Sequence, residues 1–441
     1  MKKNLSLLLI SMCMLFSCAK IDPESIKNTD TQSMAKPHRA NAEFNKLYGG
    51  NSEDYVRAVI QGNNGGYIFT GETYSTGSLD RAPDVWIVKV DEAGNTVWEK
   101  TYGGSQVEQA YSLAKFEGGY LVVGRTYSTD GDVPATHGDG DGFVLRIDEN
   151  GNLLNQKTFG GSDFDEFTNI QPDGNGYILV GNTNSNNSDV TGNHGGGDVW
   201  VVKMDRELNI IWQKALGGSQ FDGGSSSAIS KDGSYIISGN TSSTDGDVTN
   251  LKGGIDFWVV KLSNSGRLLW QKTYGGSGFE FPYSLTESVD GGYLITGLTT
   301  SSDGDITAVH KGGFIDAWMI KIDKDGDVKW DKSVGGNGNE TCAFSMTTHN
   351  GDYLIGGNTT SNDGDFTGNN GSSDGWIMRL DKQGKEKWTK VTGGSSGDDV
   401  NSACAGNFEN YIVAGTSDSN DGDVTGNHGF TDTWLFTVKD K

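Results

Sequence analysis

The sequence predicts an all-β protein built from seven copies of one four-stranded unit. An aspartate followed two residues later by an aromatic residue recurs seven times, at spacings of 57–60 residues along the 441-residue chain. A repeat of this period is typical of arrays, solenoids and propellers. The seven pairs are Asp84/Trp86, Asp141/Phe143, Asp198/Trp200, Asp256/Trp258, Asp316/Trp318, Asp374/Trp376 and Asp432/Trp434.

Each unit contains four short apolar segments separated by turn residues. In the second unit these segments are residues 111–116, 120–123, 143–147 and 153–159, with Gly-Gly and Asn-Gly pairs at two of the turns. Short strand-like runs bounded by glycine turns predict antiparallel strands. The composition agrees, since the chain has 66 Gly and only 6 Pro. Four antiparallel strands repeated around an axis predict a seven-bladed β-propeller over residues 42–441.

The two ends of the repeat region predict how the ring closes. Residues 43–48 match the fourth strand of a unit, whereas the chain ends with a third strand at residues 434–439. The last unit therefore lacks a fourth strand of its own. We expect residues 43–48 to complete the blade begun by residues 398–439, which would remove exposed strand edges.

The first 17 residues are typical of a lipoprotein signal peptide. Lys2 and Lys3 precede a largely apolar run at residues 5–16, which is too short to span a bilayer because a spanning helix needs about 20 apolar residues. Leu15-Phe16-Ser17-Cys18 resembles the lipobox of bacterial lipoproteins. The resemblance implies cleavage before Cys18 and lipidation of that cysteine; a chance cysteine in an ordinary secretory signal is the alternative.

A flexible tether is predicted for residues 18–41, beginning at the lipidated cysteine. This segment is polar, lacks aromatic residues and shows no strand or helix periodicity, so it cannot bury enough apolar area to offset the entropy of ordering it. We expect the protein to be held at the outer membrane by lipid, on the periplasmic or the surface-exposed side.

Net charge and cysteine content argue against a nucleic-acid-binding protein and against a disulfide-stabilised one. The formal net charge of -23 argues against a nucleic-acid partner, because such binding depends on basic contacts to phosphate. Cys342 and Cys404 are the two cysteines of the repeat region. They stand at different heights on equivalent strands, so we expect two buried free thiols and no disulfide.

The repeat pattern Trp-x-x-Lys-x-Asp…Gly…Trp…Tyr-Gly-Gly-Ser resembles that of propeller lipoproteins from Bacteroidota-like envelopes, and it covers nearly the whole mature chain. It is also loosely similar to quinoprotein-type blades. The vicinal disulfide and cofactor-binding residues expected of the quinone enzymes are not visible in this sequence. The resemblance therefore implies an architecture and not an activity.

Acidic residues recur in the long loop between the second and third strands of each unit. In residues 363–374 and 421–432, oxygen-bearing side chains occupy positions 1, 3, 5 and 12, with glycine at position 6. This spacing resembles that of a calcium-binding loop. The alternative is a turn whose carboxylates accept backbone N–H bonds. The candidate calcium ligands are Asp363, Asp365, Asp374, Asp421, Asp423 and Asp432.

A second acidic position recurs in all seven units, four residues after each Gly-Gly pair. A ring of such carboxylates at a channel mouth would suit a cation, whereas a feature of every blade more often has a structural task. The seven residues are Asp54, Glu108, Asp165, Asp222, Glu280, Glu340 and Asp398.

Ligand-specific chemistry is expected where the units differ. Tyr74 and Tyr127 stand in the first two of the long loops, and Phe279, Phe281 and Tyr283 stand at the start of a later inner strand. Exposed aromatic rings at these positions would stack on sugars or peptides; packing between blades is the alternative.

The sequence shows no nucleophile elbow, zinc motif or phosphate-binding loop. It favours an outer-membrane-anchored lipoprotein whose non-catalytic propeller binds a glycan, a peptide or a partner protein of the envelope. Two alternatives remain open: a glycan hydrolase or lyase with acidic residues at the channel mouth, and a scaffold subunit of an envelope complex. Calcium is the one cofactor that the loops suggest.

Overall fold

A computed structural model describes most of the repeat region. The described residues are 43–75, 82–133, 136–307, 313–407 and 410–440. Cys18, the signal peptide and the whole tether lie outside them. None of the described segments forms a helix long and apolar enough to cross a membrane.

The described residues form seven separate four-stranded antiparallel sheets. The first strand is β1 (Asn45–Tyr48). Blade 1 contains β2 (Asp54–Gln61), β3 (Tyr67–Thr73), β4 (Asp84–Val90) and β5 (Thr96–Tyr102). Blade 2 contains β6 (Glu108–Phe116), β7 (Gly119–Thr126), β8 (Asp141–Asp148) and β9 (Leu153–Phe159). Blade 3 contains β10 (Asp165–Pro172), β11 (Gly176–Thr183), β12 (Asp198–Asp205) and β13 (Ile210–Leu216).

The remaining blades repeat this order. Blade 4 contains β14 (Asp222–Ile229), β15 (Tyr235–Thr241), β16 (Asp256–Leu262) and β17 (Leu268–Tyr274). Blade 5 contains β18 (Glu280–Glu287), β19 (Tyr293–Thr299), β20 (Asp316–Ile322) and β21 (Val328–Val334). Blade 6 contains β22 (Phe344–Thr347), β23 (Tyr353–Thr359), β24 (Asp374–Leu380) and β25 (Glu386–Thr392). Blade 7 contains β26 (Asp398–Ala405), β27 (Asn410–Ser417), β28 (Asp432–Lys439) and β1.

The N-terminal strand closes the ring, as the split unit predicts. β1 pairs with β28 in antiparallel register, with Asn45 opposite Phe436 and Tyr48 opposite Thr433. The Tyr48 hydroxyl also donates to the Gly94 carbonyl of blade 1 at 2.7 Å. The seven-bladed β-propeller and its closure are therefore confirmed.

The strand order runs from the axis to the rim. Each first strand contacts the first strand of the next blade, and β26 contacts β2 to complete the circle. The fourth strands form the rim; β5, for example, exposes most of its side chains. Side chains of neighbouring blades meet between the sheets and form the core, as Phe257 of blade 4 and Trp318 of blade 5 do with ring centroids 4.6 Å apart. The aromatic residue of the repeat is thus a core residue. Cys342 and Cys404 are buried free thiols, as expected.

The propeller has two faces of different character. Short turns join the first strand to the second and the third to the fourth; we call this side the turn face. Asn63 on one such turn donates to Glu149 on another at 2.5 Å. The other two connections meet on the opposite side, the loop face, where the Ser105 amide donates to Asp130 at 2.8 Å. The loop face therefore carries both the acidic loops and the starts of the inner strands.

Candidate binding site at the mouth of the loop face

The acid that starts each inner strand is buried and forms a joint between two blades. Asp165 accepts hydrogen bonds from the Gly161 amide at 2.7 Å, from Ser185 Oγ at 2.7 Å and from Thr183 Oγ1. Its own amide donates to the Gly140 carbonyl of the preceding blade at 2.9 Å. Burial raises the pKa of Asp165 to about 6.

The other blades repeat this joint. The acids of the remaining blades are 0–1% exposed and accept a bond from the amide of the second glycine, four residues earlier. These carboxylates therefore face the protein interior and hold the blades together, which supports the structural alternative for this ring of acids.

Five of the six loop aspartates accept a bond from a backbone amide, and Asp423 accepts one from a side-chain hydroxyl. Asp363 Oδ1 accepts from the Asn337 amide at 2.8 Å, and Asp421 Oδ1 accepts from the Ser395 amide at 2.7 Å. Asp365 accepts from the Gly335 amide at 3.0 Å, whereas Asp423 accepts from Thr392 Oγ1 at 2.7 Å. Asp374 and Asp432 accept amides four residues earlier. Among the described residues no three His, Cys, Asp or Glu side chains form a metal-binding group, so calcium in these loops stays a prediction.

The residues that vary between blades gather at the inner edge of the loop face, which we call the mouth. Blades 1 to 3 contribute a continuous network of polar side chains there, the mouth network. It consists of Arg57, Glu72, Gln109, Arg125, Glu166 and Asn182.

The charges of the mouth network compensate one another. Arg57 Nε lies 3.1 and 3.2 Å from the two carboxylate oxygens of Glu72. Arg125 donates to Gln109 Oε1 from Nε at 3.0 Å and from Nη2 at 2.6 Å, and its Nη1 lies 3.4 Å from Glu166. Burial raises the pKa of the Glu166 carboxyl, and the nearby Arg125 lowers it. Planar, paired groups of this kind present directed hydrogen bonds and little net charge.

Aromatic rings surround the two arginines. The Tyr55 and Tyr74 rings meet edge to face with centroids 6.3 Å apart, and the Arg57 guanidinium lies 5.9 Å from the Tyr55 centroid. Arg125 lies 5.7 Å from the Tyr127 ring, which is half-buried. The structure therefore brings the predicted residues Tyr74 and Tyr127 to the same network. Tyr127 lies beside the Arg125 guanidinium, and Tyr74 contacts the Tyr55 ring beside Arg57.

Blade 5 builds a different part of the mouth. Phe281 and Tyr283 are buried, only 9% and 3% exposed, and pack with Leu298 in a small apolar cluster. Phe279 is 47% exposed. Of these three predicted ligand-contacting residues, Phe279 presents its ring to solvent and the other two support the wall behind it.

One mouth carboxylate in blade 7 lacks a cationic partner among the described contacts. Asp399 accepts from Ser373 Oγ at 3.1 Å, and burial, together with the nearby Asp398 and Asp418, raises its pKa to about 6. A carboxyl group of this pKa can exchange a proton near neutral pH.

Sequence reasoning missed the mouth network. An alignment of the seven units could have found it. We call the acid of each inner strand the junction acid, and the residue after it changes chemical type from blade to blade. The seven residues that follow the junction acids are Tyr55, Gln109, Glu166, Gly223, Phe281, Thr341 and Asp399.

The chain is similar to several solved structures, at low identity and with TM-scores under 0.5. No protein-family model and no curated protein sequence matches this chain. The WD40 domain of Pan2 from Neurospora crassa is 10% identical, over 92% of this chain and 93% of that one, with a TM-score of 0.48. Sqt1 from Chaetomium thermophilum is 11% identical, over 90% and 100% of the two chains, with a TM-score of 0.44. A protein of unknown function from Bacteroides caccae is 14% identical, over 64% and 83%, with a TM-score of 0.37. Likenesses this low carry no conclusion about ligand or activity.

Proposed function

We propose that the protein is an outer-membrane lipoprotein, anchored through Cys18, whose propeller binds a glycan, a peptide or a partner protein at the mouth without catalysis. The observation that carries this proposal is the mouth network of blades 1 to 3. It is polar, ringed by aromatic side chains and confined to the positions where the blades differ. Binding sites commonly combine apolar rings with a few fixed polar groups in this way.

Exposed aromatic residues favour the loop face as the binding side. Phe314 and Phe430 are 76% and 68% exposed, and Phe279 is 47% exposed. All three belong to connections of the loop face. Large apolar side chains are costly to leave in water, so their presence on one face favours a partner or ligand that covers them.

The position of β1 favours the same orientation. Asn45 starts β1 at the turn face, because a fourth strand begins after the third-to-fourth turn. Glu43 forms an ion pair with Lys439 at the end of β28 on that side. A tether entering at the turn face would leave the loop face directed away from the membrane.

Glycan and peptide arrays, followed by calorimetry with the best ligand, test the binding proposal. Tyr74→Ala and Tyr127→Ala should each weaken binding at least about tenfold, since stacking and desolvation at a binding centre are worth a kcal/mol or more. Thr360→Ala, at the equivalent exposed position of blade 6, is the matched control and should change affinity less than about twofold. A ligand that binds all three variants equally would place the site elsewhere.

The anchor is tested separately. Cys18→Ala should abolish acyl labelling and move the protein from the membrane to the soluble fraction. Acylation that persists in this variant would refute the lipobox.

The enzyme alternative rests on Asp399. Its raised pKa and its place in the mouth suit a proton donor in glycan cleavage. A hydrolysis screen that finds turnover in the unaltered protein and none in Asp399→Asn would favour a hydrolase or lyase over a binding module.

A further inference from the structure

The mouth has a second tier of residues, one step nearer the surface of the loop face than the mouth network. In every blade the residue before the junction acid accepts, through its carbonyl, a bond of 2.8–3.0 Å from the amide of the residue after the second strand. The seven pairs, in blade order, are Glu53/Tyr74, Val107/Tyr127, Phe164/Asn184, Phe221/Ser242, Phe279/Thr300, Asn339/Thr360 and Gly397/Asp418. Each pair of blades 1 to 5 contains one aromatic residue, and the pairs of blades 6 and 7 contain none. The five rings, which we call the aromatic arc, are those of Tyr74, Tyr127, Phe164, Phe221 and Phe279.

The aromatic arc borders the mouth network on its solvent side. Phe164 stands two residues before Glu166, and side chains two residues apart on a strand share one face of the sheet. Contacts between blades agree, because the ring centroids of Tyr127 and Phe164 are 6.3 Å apart. The Arg125 guanidinium lies 5.6 Å from the Phe164 centroid. A ligand that rests on the arc therefore has polar groups of the network beside it.

Two rings of the arc are seated against the main chain of the preceding blade. A Cβ atom placed on Gly197 of blade 3 would lie 3.2 Å from the Phe221 ring. A Cβ atom placed on Gly254 of blade 4 would lie 2.5 Å from the Phe279 ring. A larger residue at either glycine would crowd the ring. The Phe279 ring is nevertheless 47% exposed, and the other four rings are partly exposed, so the arc combines support with access.

The repeat unit alone does not produce the arc. In blades 1 and 2 the aromatic residue follows the second strand, whereas in blades 3 to 5 it precedes the first strand. The same tier thus receives its ring from two different positions of the unit. A compact ligand would need rings from one or two blades. Rings on five consecutive blades suit an extended ligand whose successive units resemble one another.

The polar groups beside the arc suit hydroxyl groups better than charged ones. Asn182 donates to Glu166 at 2.6 Å and accepts from the Gly224 amide at 2.8 Å. Together with the paired arginines, such groups offer directed hydrogen bonds at low net charge. A sugar ring presents an apolar C–H face that can stack on an aromatic ring, and its hydroxyl groups lie at the edge. The formal net charge of -23 disfavours an acidic polymer.

The main-chain bonds of this tier favour recognition through side chains. A peptide that adds a strand to a sheet uses free main-chain groups of an edge. In this tier the amide of the second strand is already bonded to the carbonyl of the first strand in every blade. The rings and the polar side chains are therefore the groups that the arc offers to a ligand.

We propose that the aromatic arc binds a neutral, unbranched glycan chain that lies across blades 1 to 5. This inference rests on the binding function proposed for the mouth and names its ligand class. The chain stacks successive sugar rings on the arc and directs hydroxyl groups toward the mouth network. Blades 6 and 7, whose pairs lack a ring, lie outside the binding path.

Calorimetry of the full chain with neutral oligosaccharides tests the proposal. The probes are unbranched oligomers of glucose, mannose and xylose, from disaccharides to octasaccharides. Affinity in the best series should rise at least about tenfold from the disaccharide to the hexasaccharide, because linked units bind further rings within one complex. Phe221→Ala and Phe279→Ala should each lower the hexasaccharide affinity at least about fivefold. Asn339→Ala, at the matched exposed position of blade 6, should change it less than about twofold.

The outcomes separate this inference from the proposed function. An affinity that does not grow with chain length, or a growth that survives in both phenylalanine variants, would overturn the extended arc. The size series uses the unaltered protein and needs no variant to fold. If the neutral series fails but an acidic glycan, a peptide or a partner protein binds and loses affinity in Tyr74→Ala, the ligand class is wrong and the binding function stands. Absence of binding by every one of these probes would refute both.

Discussion

The junctions between blades and the mouth of the loop face are built from adjacent residues of the sequence. The junction position is acidic in every blade, whereas the mouth position changes residue type from blade to blade. The acid stands at the first residue of the inner strand in six blades and four residues before β22 in blade 6. The residue after it changes from tyrosine to glutamine, glutamate, glycine, phenylalanine, threonine and aspartate. Because side chains alternate along a strand, the acid points into the interior and its neighbour points the other way. The same short segment therefore holds neighbouring blades together with one residue, and in the proposed function it contacts the ligand with the next.

The difference has a physical cause in hydrogen bonding. The junction acid satisfies an amide, a serine and a threonine or serine that recur with it, as Asp222 does with the Gly218 amide and Ser243. Any other residue would leave these buried donors without a partner. The mouth residues have no such repeated set of donors, so their chemistry can diverge.

Removing the closing strand should have the largest effect. Deletion of residues 43–50 eliminates the β1–β28 pairing and exposes the edge of β28. We expect a loss of at least about 5 kcal/mol, which is comparable to the whole stability of many domains. Urea unfolding measures it. An eight-residue deletion within the tether, residues 25–32, is the control and should leave the transition unchanged.

Breaking one junction should cost less but still several kcal/mol. Asp165→Ala leaves three buried donors unsatisfied, at about 1–3 kcal/mol each, so we expect a total of about 4 kcal/mol. Asp163→Ala, an exposed aspartate two residues earlier, should change the free energy of unfolding by less than about 0.5 kcal/mol. Equal effects of the two substitutions would refute the structural role of the junction acid.

Acidification should stabilise the propeller moderately. Burial raises the pKa of four fully buried aspartates to about 6. They are Asp165 at the start of an inner strand and Asp198, Asp256 and Asp374 at the starts of third strands. A carboxyl group whose pKa is higher in the folded state contributes stability at low pH and loses it as pH rises through the folded-state pKa. The free energy of unfolding should therefore be higher at pH 5 than at pH 8 by about 1–3 kcal/mol. Melting temperatures at the two pH values measure the direction of the change. A flat or inverted profile over this range would contradict the raised pKa values of these four carboxyl groups.

Much of the fold was predictable from the sequence because the same pattern of strands and turns occurs in seven units. The anchor spacing, the split unit at the two ends and the glycine turns each follow from local chemistry, and the closure between residues 43–48 and the last unit is confirmed. The acids at strand starts were also visible. Because the acid occurs in all seven blades, the sequence favoured a structural role for it, and the hydrogen bonds of the junctions support that role.

The candidate site was less predictable because it depends on contacts between blades. Arg57 meets Glu72 within blade 1. Only the packing of neighbouring blades places Gln109 beside Glu72 and Arg125 beside Glu166. The aromatic candidates could be found as departures from the repeat. Their exposure could not, since Phe279 and Phe281 are two residues apart and only the first faces solvent.

The smallest effect on stability is expected from Phe279→Ala. The ring is 47% exposed, so its removal gives up little buried apolar area and leaves no cavity in the core. We expect a change below about 1 kcal/mol in the free energy of unfolding, against about 3 kcal/mol or more for Phe281→Ala, whose ring is only 9% exposed. Denaturant unfolding of both variants measures the difference. If the two cost the same, Phe279 belongs to the structural wall, and the mouth of blade 5 offers no free ring to a ligand.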